Sequence, residues 1–111
     1  MREIHLNADY SWWPVWEYFE SNDGRYKNDF DPANLPISAE LAQQLNDWAD
    51  VYDKTLDQSY PLDSGFPSKG DALNFAKQGM ELCEKLQDEL GPDFKVIVDF
   101  SVDDFAEYVR T

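Results

Sequence analysis

The segment from Lys69 to Leu90 places the tightest limit on what this chain can fold into. Apolar or small residues recur at Ala72, Leu73, Phe75, Ala76, Gly79, Met80, Leu82, Cys83, Leu86 and Leu90. Steps of three and four put them on one side of an α-helix, where they cover nearly half its circumference. A helix with so wide an apolar arc needs neighbours on several sides, so it belongs at the centre of the fold. Its ends are marked as clearly as its face. Ser68 is a good N-cap, and Asp71 three residues on makes a capping-box variant with Asp in place of Glu. Gly91 suits the left-handed C′ position and Pro92 cannot continue the helix.

The rest of the chain must supply that helix with partners. Residues 2–9 alternate, Ile4, Leu6 and Ala8 against Glu3, His5 and Asn7, which is the period of a half-buried strand. Residues 12–19 form an aromatic cluster interrupted by Pro14, readable as an irregular second strand. Ser21-Asn22-Asp23-Gly24 is turn chemistry, because Asn, Asp and Gly all tolerate a positive φ. Residues 25–37, with Pro32 and Pro36, read as an ordered loop. Ser38 caps a helix over 38–56 with the stripe Leu41, Leu45, Trp48, Tyr52 and Leu56. Residues 58–67 hold Pro61, Gly65 and Pro67 and read as a loop. Phe94, Val96, Val98 and Phe100 alternate as the clearest strand, and Ile97 opposite implies cover on both faces. Ser101 can cap a short last helix that turns Phe105, Tyr108 and Val109 inward.

This order predicts an α+β domain: a small sheet of about three strands, with two main helices (38–56 and 69–90) on one face and a short C-terminal helix. Strands 2–8 and 94–100 are expected to be neighbours at the sheet centre. A chain of 111 residues fits one domain, and 42 % hydrophobic residues, 15 % of all residues being aromatic, fill a core and argue against disorder.

Charge narrows the choice of partner. There are 23 acidic and 9 basic residues, a formal net charge of −14. Such a surface repels nucleic acid and anionic lipid and attracts basic surfaces, the attraction weakening as salt rises. Solubility alone is the bland explanation of the same charge. Cys83 is the single cysteine, so no internal disulfide forms. Residues 1–10 lack the basic and apolar regions of a secretory signal, and no run approaches the roughly 20 apolar residues of a membrane span. The cytoplasm is the expected compartment.

Catalytic patterns are missing from the sequence. His5, the only histidine, falls on the polar side of its strand and reads as a surface residue. Cys83 falls on a buried stripe, where a thiol acts as a small hydrophobe. A Cys–His pair has no supporting motif, and two such residues cannot complete a zinc site. Asn28, Asp29, Asp31 and Asn34 are oxygen-rich but lack the central Gly and distant Glu of a calcium loop. No Gly-rich phosphate cradle is present. With 23 acids, a carboxylate pair found by eye carries no weight. The reading is a protein that is not an enzyme and uses no metal and no cofactor.

Two features exceed what a core requires. One is the aromatic cluster Tyr10, Trp12, Trp13, Trp16, Tyr18, Phe19 and Tyr26. Part of it must be core, yet so short a segment cannot bury every ring, and Trp and Tyr are favoured interface anchors. The other is an acidic ridge on the first helix: Asp47, Asp50, Asp53 and Asp57, three or four residues apart, continued by Asp63. Residues 38–64 hold six acids and one lysine. A solvated helix face is the plain alternative. The expected partner-binding residues are therefore Asp47, Asp50, Asp53, Asp57 and Asp63 with Trp12, Trp13, Trp16 and Tyr18.

LNADY with WPVW, DPANLPIS before a helix, DSGFPS, and ELCEKLQDELGPDFKV together resemble a group of small acidic bacterial proteins. Nearly the whole chain is covered. That group resembles the immunity proteins of bacterial toxin systems, including contact-dependent growth inhibition. The resemblance implies a cytosolic protein that neutralises a cognate toxin domain, often a nuclease with a basic cleft, by binding it. No functional residue carries over. The competing readings are an acidic nucleic-acid mimic that inhibits a nucleic-acid-binding protein, a small enzyme or ligand-binding domain with a pocket near His5 and the tryptophans, and a homodimerising subunit.

Overall fold

The computed structural model describes residues 2–56, 59 and 64–110. Strands β1 (Arg2–Leu6), β2 (Val15–Ser21) and β3 (Gly24–Phe30) are followed by a 3₁₀ turn at Pro32–Asn34. Then come α1 (Ala39–Asp53), α2 (Lys69–Leu90), β4 (Phe94–Val98) and α3 (Val102–Ala106). Among the described residues the sheet has four strands in the order β3-β2-β1-β4. β1 pairs antiparallel with β2 and parallel with β4, and β2 with β3 forms a hairpin. The expected adjacency of the first and last strands holds, but β4 is an edge, and β1 and β2 are the interior strands.

The loop expected over 25–37 is half strand. Gly24–Phe30 pairs along its length with β2, Ser21 opposite Gly24 and Val15 opposite Phe30. Its residues are polar and mostly exposed, so no hydrophobic alternation announced it. The turn at Asn22-Asp23 takes its positive φ at the following Gly24 (140°).

Strand alternation sorts the sheet into two faces. Ile4, Leu6 and Val15 join the core with Leu41, Leu45, Trp48, Phe75, Leu82, Leu86 and Phe105. Each fully buried side chain of this size contributes about 1.5–3 kcal/mol relative to exposure. α2 is central as its arc demands, although the arc is narrower than expected: Leu73 and Met80 face solvent. Its Gly91 terminates it at φ 79°. Ser68 Oγ accepts from the Asp71 N–H, while the complete capping box forms at Ser101 and Asp104.

α1 is shorter than the predicted 38–56. It closes at Asp53 because Thr55 turns back, its hydroxyl and N–H both donating to the Tyr52 carbonyl at 2.6 and 2.9 Å. At its start, Ser38 receives a second tie: its N–H and Oγ donate to the Glu89 carboxylate at 2.6 and 3.1 Å, joining α1 to the end of α2. The last segment is helical as expected only over Val102–Ala106. A short helix comes first, then Val109 bridges Phe66 as a parallel strand residue. Gly65 permits this approach, since a Cβ there would lie 2.8 Å from Arg110 N.

Candidate functional site

The segment Tyr10–Trp13 is built to display its tryptophans. Four successive amides are held: Tyr10 N–H donates to Asp9 Oδ1 (2.8 Å) and Ser11 N–H to Asp53 Oδ1 (3.2 Å). Trp12 N–H donates to the Asp9 carbonyl (3.3 Å) and Trp13 N–H to Asp29 Oδ2 (2.9 Å). Ser11 sits at φ 64°, a conformation that costs a non-glycine residue about 1–2 kcal/mol. With the backbone fixed in this way, Trp12 and Trp13 remain 38 % and 45 % exposed.

Beside them runs α1. Trp12, Trp13, Asn46, Ala49, Asp50 and Asp53 line one groove of about 460 Å³. Two features that lie far apart in sequence, the aromatic cluster and the acidic helix face, thus meet at one edge of the molecule. The acidic face does not act as one ridge, however. Asp47 is exposed but turns toward α2, where it lines a different groove with Val51, Glu81 and Lys85. Asp57 and Asp63 lie outside the described residues.

The remaining aromatics divide by their contacts. Tyr10 is structural: its ring stacks on Tyr52 at 4.7 Å and its hydroxyl meets Thr55 and Tyr108, both at 2.6 Å. Burial and the neighbouring Tyr108 raise the Tyr10 hydroxyl well above its ordinary range, and burial pushes Tyr52 up to about 12. Trp16, expected at the partner-facing surface, is buried at 5 % exposure on the sheet face opposite the helices, so its ring lies beneath the surface. Phe19 and Tyr26 face each other across the hairpin near its tip and are exposed.

His5 corrects a second expectation. It is buried, not superficial, because its ring stacks on Trp16 at 3.9 Å and meets the edge of Tyr18. Its Nδ1 lies 3.0 Å from both carboxylate oxygens of Asp99. Two cations cover this aromatic patch: Arg25 lies 3.6 Å from the Tyr18 centroid and Lys27 Nζ 4.6 Å from that of Trp16. None of Asp99, Arg25 and Lys27 was singled out in the sequence. The i, i+2 spacing of Arg25 and Lys27 along β3 becomes meaningful only once the hairpin register is known.

Cys83 packs against the helix-side core, on the opposite side of the sheet from His5, which removes the Cys–His pairing. Burial and Glu84 raise its thiol, keeping it protonated and weakly nucleophilic. Within the oxygen-rich run, Asp29 holds Trp13, and Asp31 accepts from Ala33 N–H at 3.0 Å to start the 3₁₀ turn. Among the described residues no cluster has the composition of a metal site, and no helix is long and apolar enough to cross a membrane.

Fold and surface together define a small acidic α+β protein with a rigid aromatic–carboxylate edge. The chain belongs to the Serratia CdiI immunity protein-like family, whose model matches residues 2–100. Membership supports an immunity role in general terms. The match spans the sheet, α1 and α2 and stops before α3. Comparison with curated proteins returned no match.

Proposed function

We propose that the protein neutralises a cognate toxin domain by binding it through the edge formed by Trp12, Trp13, Asp50 and Asp53, and that it is an inhibitor with no catalytic activity of its own. One observation carries this reading: two exposed tryptophans, held by four fixed amides, share a groove with two helix carboxylates. Rigid aromatic anchors lose little entropy on binding and suit slow dissociation. The net charge of −14 steers a basic partner, such as a nuclease cleft, and speeds encounter. Binding in the cytoplasm across such a cleft excludes its substrate.

The small-enzyme reading draws on one specific feature, the His5–Asp99 pair beside a groove of about 460 Å³. That groove is lined by Arg2, Glu3, His5, Glu17, Tyr18, Glu20 and Arg25, so it presents no Ser, Thr, Cys or Lys nucleophile to a histidine base. The inhibitor reading accounts for more of the surface.

The test is surface plasmon resonance of the full chain against a candidate cognate toxin domain, across a salt series. Asp50 is the cleanest position to reverse, since Asp53 also holds Ser11. Asp50→Lys is expected to slow association about tenfold at low salt and to flatten the salt dependence. Unchanged rate and salt slope would remove Asp50 from the interface.

A further inference from the structure

A second, smaller cavity opens on the other side of the two exposed tryptophans. Its volume is about 120 Å³, and it is lined by Asn7, Asp9, Trp12, Trp13, Trp16 and Lys27. Three indoles and a carboxylate around a space that size form a cage for one side-chain head group. An indole carries negative charge density on its face and is the best aromatic partner for a cation. Asp9 is exposed and accepts a local amide through Oδ1, from Tyr10. The chain itself shows what the cage favours, because Lys27 already holds its ammonium 4.6 Å from the Trp16 centroid.

We propose that this cavity receives one basic side chain, a lysine or an arginine, from the bound toxin, and that Lys27 fills part of the cage in the free protein. The inference deepens the toxin-binding reading and rests on it for the chain that donates the side chain. It also assigns Trp16 a role despite its burial: it forms a wall of the cage. Lys27 then acts as a resident competitor, like-charged with the incoming group and displaced by it.

The cage can be tested without the toxin. The full chain is titrated with N-acetyl-arginine amide, N-acetyl-lysine amide and the neutral isostere N-acetyl-citrulline amide, following the tryptophan indole N–H signals by NMR. The two cations should shift the Trp12, Trp13 and Trp16 signals, and citrulline should bind about fivefold more weakly or worse. Asp9→Asn keeps an acceptor for Tyr10 N–H and removes the charge, so it should weaken the cations about threefold. Lys27→Met keeps the stem and removes the competitor, so it should tighten them at least about twofold. Equal binding of citrulline, or weaker cation binding by Lys27→Met, would overturn the cage. The toxin arm separates the two proposals. If the toxin binds and neither Asp9→Asn nor Lys27→Met moves its affinity, the cage is not its contact and the broader reading stands. If the toxin does not bind at all, the broader reading falls, and the probe titrations alone decide whether the cavity is a cation site.

Discussion

The ring of Trp48 lies so close over Gly79 that a Cβ built there would fall 2.6 Å from Cζ2, with the Phe100 ring 2.7 Å away on another side. Trp48 is fixed in that place, stacked parallel on Phe75 at 4.5 Å with its indole N–H donating 2.9 Å to the Phe75 carbonyl. Glycine in mid-helix costs about 1 kcal/mol relative to alanine, and here it is what lets α1 and α2 approach. Gly79→Ala should therefore destabilise the protein by about 1–3 kcal/mol despite the better helix propensity. Gly70→Ala is the control: its Cβ would meet only Ser68 Oγ at 3.7 Å, and the change should be neutral or slightly stabilising. Urea denaturation of both variants decides the matter, and a stabilised Gly79→Ala would contradict the packing described.

Trp12 and Trp13 are exposed and their backbone is held independently of their rings. Trp12→Ala and Trp13→Ala should leave the melting temperature within a few degrees of the parent. Each should speed dissociation of the toxin domain by about tenfold or more, with little effect on association. Surface plasmon resonance separates the two rates. A large drop in melting temperature would instead mark the rings as core.

The tyrosine cluster predicts alkaline sensitivity. Tyr52 is pushed up to about 12 by burial, above an ordinary value near 10, and Tyr10 moves the same way. For an acid whose folded-state pKa is raised, the stabilisation is fully present below the unfolded value and is lost as pH rises toward the folded value. Stability should thus hold up to about pH 10 and fall between there and pH 12. Tyr10→Phe removes one ionisable group and should shallow that fall, while costing about 1 kcal/mol at neutral pH for the lost hydroxyl contacts. Chemical denaturation from pH 8 to 12 tests both statements.

Gln87 stands in for a neighbouring strand at the edge formed by β4. Its amide nitrogen donates to the Gly91 and Phe94 carbonyls at 3.1 and 2.9 Å, and its oxygen accepts from Val96 N–H at 2.9 Å. An exposed strand edge is a template for unwanted pairing, and this side chain covers part of it. Gln87→Ala should destabilise by about 1–3 kcal/mol and increase the protein's tendency to self-associate. Gln87→Glu keeps the acceptor and places a charge against two carbonyls, so it should be no better. Amide exchange at Val96 reports the lost bond directly, and unaltered protection there would count against this role.

Much of the fold was readable from local pattern. The apolar arc of α2, its Ser68 and Gly91 ends, the Ser38 cap and the alternation of β1 and β4 each depend on residues within a turn or two of one another. β3 was not readable, because an edge strand exposed along most of its length owes its form to pairing with β2 and buries too little to show alternation. The end of α1 was missed for a related reason: Leu56 continues the stripe, but Thr55 satisfies the Tyr52 carbonyl and stops the helix first.

The candidate site divides along the same line. Its ingredients were legible: an acidic helix face, a tryptophan-rich segment and a family likeness in the residues themselves. Their arrangement was not. Periodicity could not show that Asp53 would hold Ser11 in place, or that Asp50 would join Trp12 and Trp13 while Asp47 turned toward α2. Nor could it show that His5 would lie under Trp16 against Asp99. The sequence alone determined the Ser38 and Ser68 helix starts, the Gly91 end of α2, the hairpin turn and the net charge, since these arise from steric and electrostatic preferences acting over a few residues. Which rings stayed exposed, and which carboxylates they met, was decided only when strands and helices from distant parts of the chain packed together.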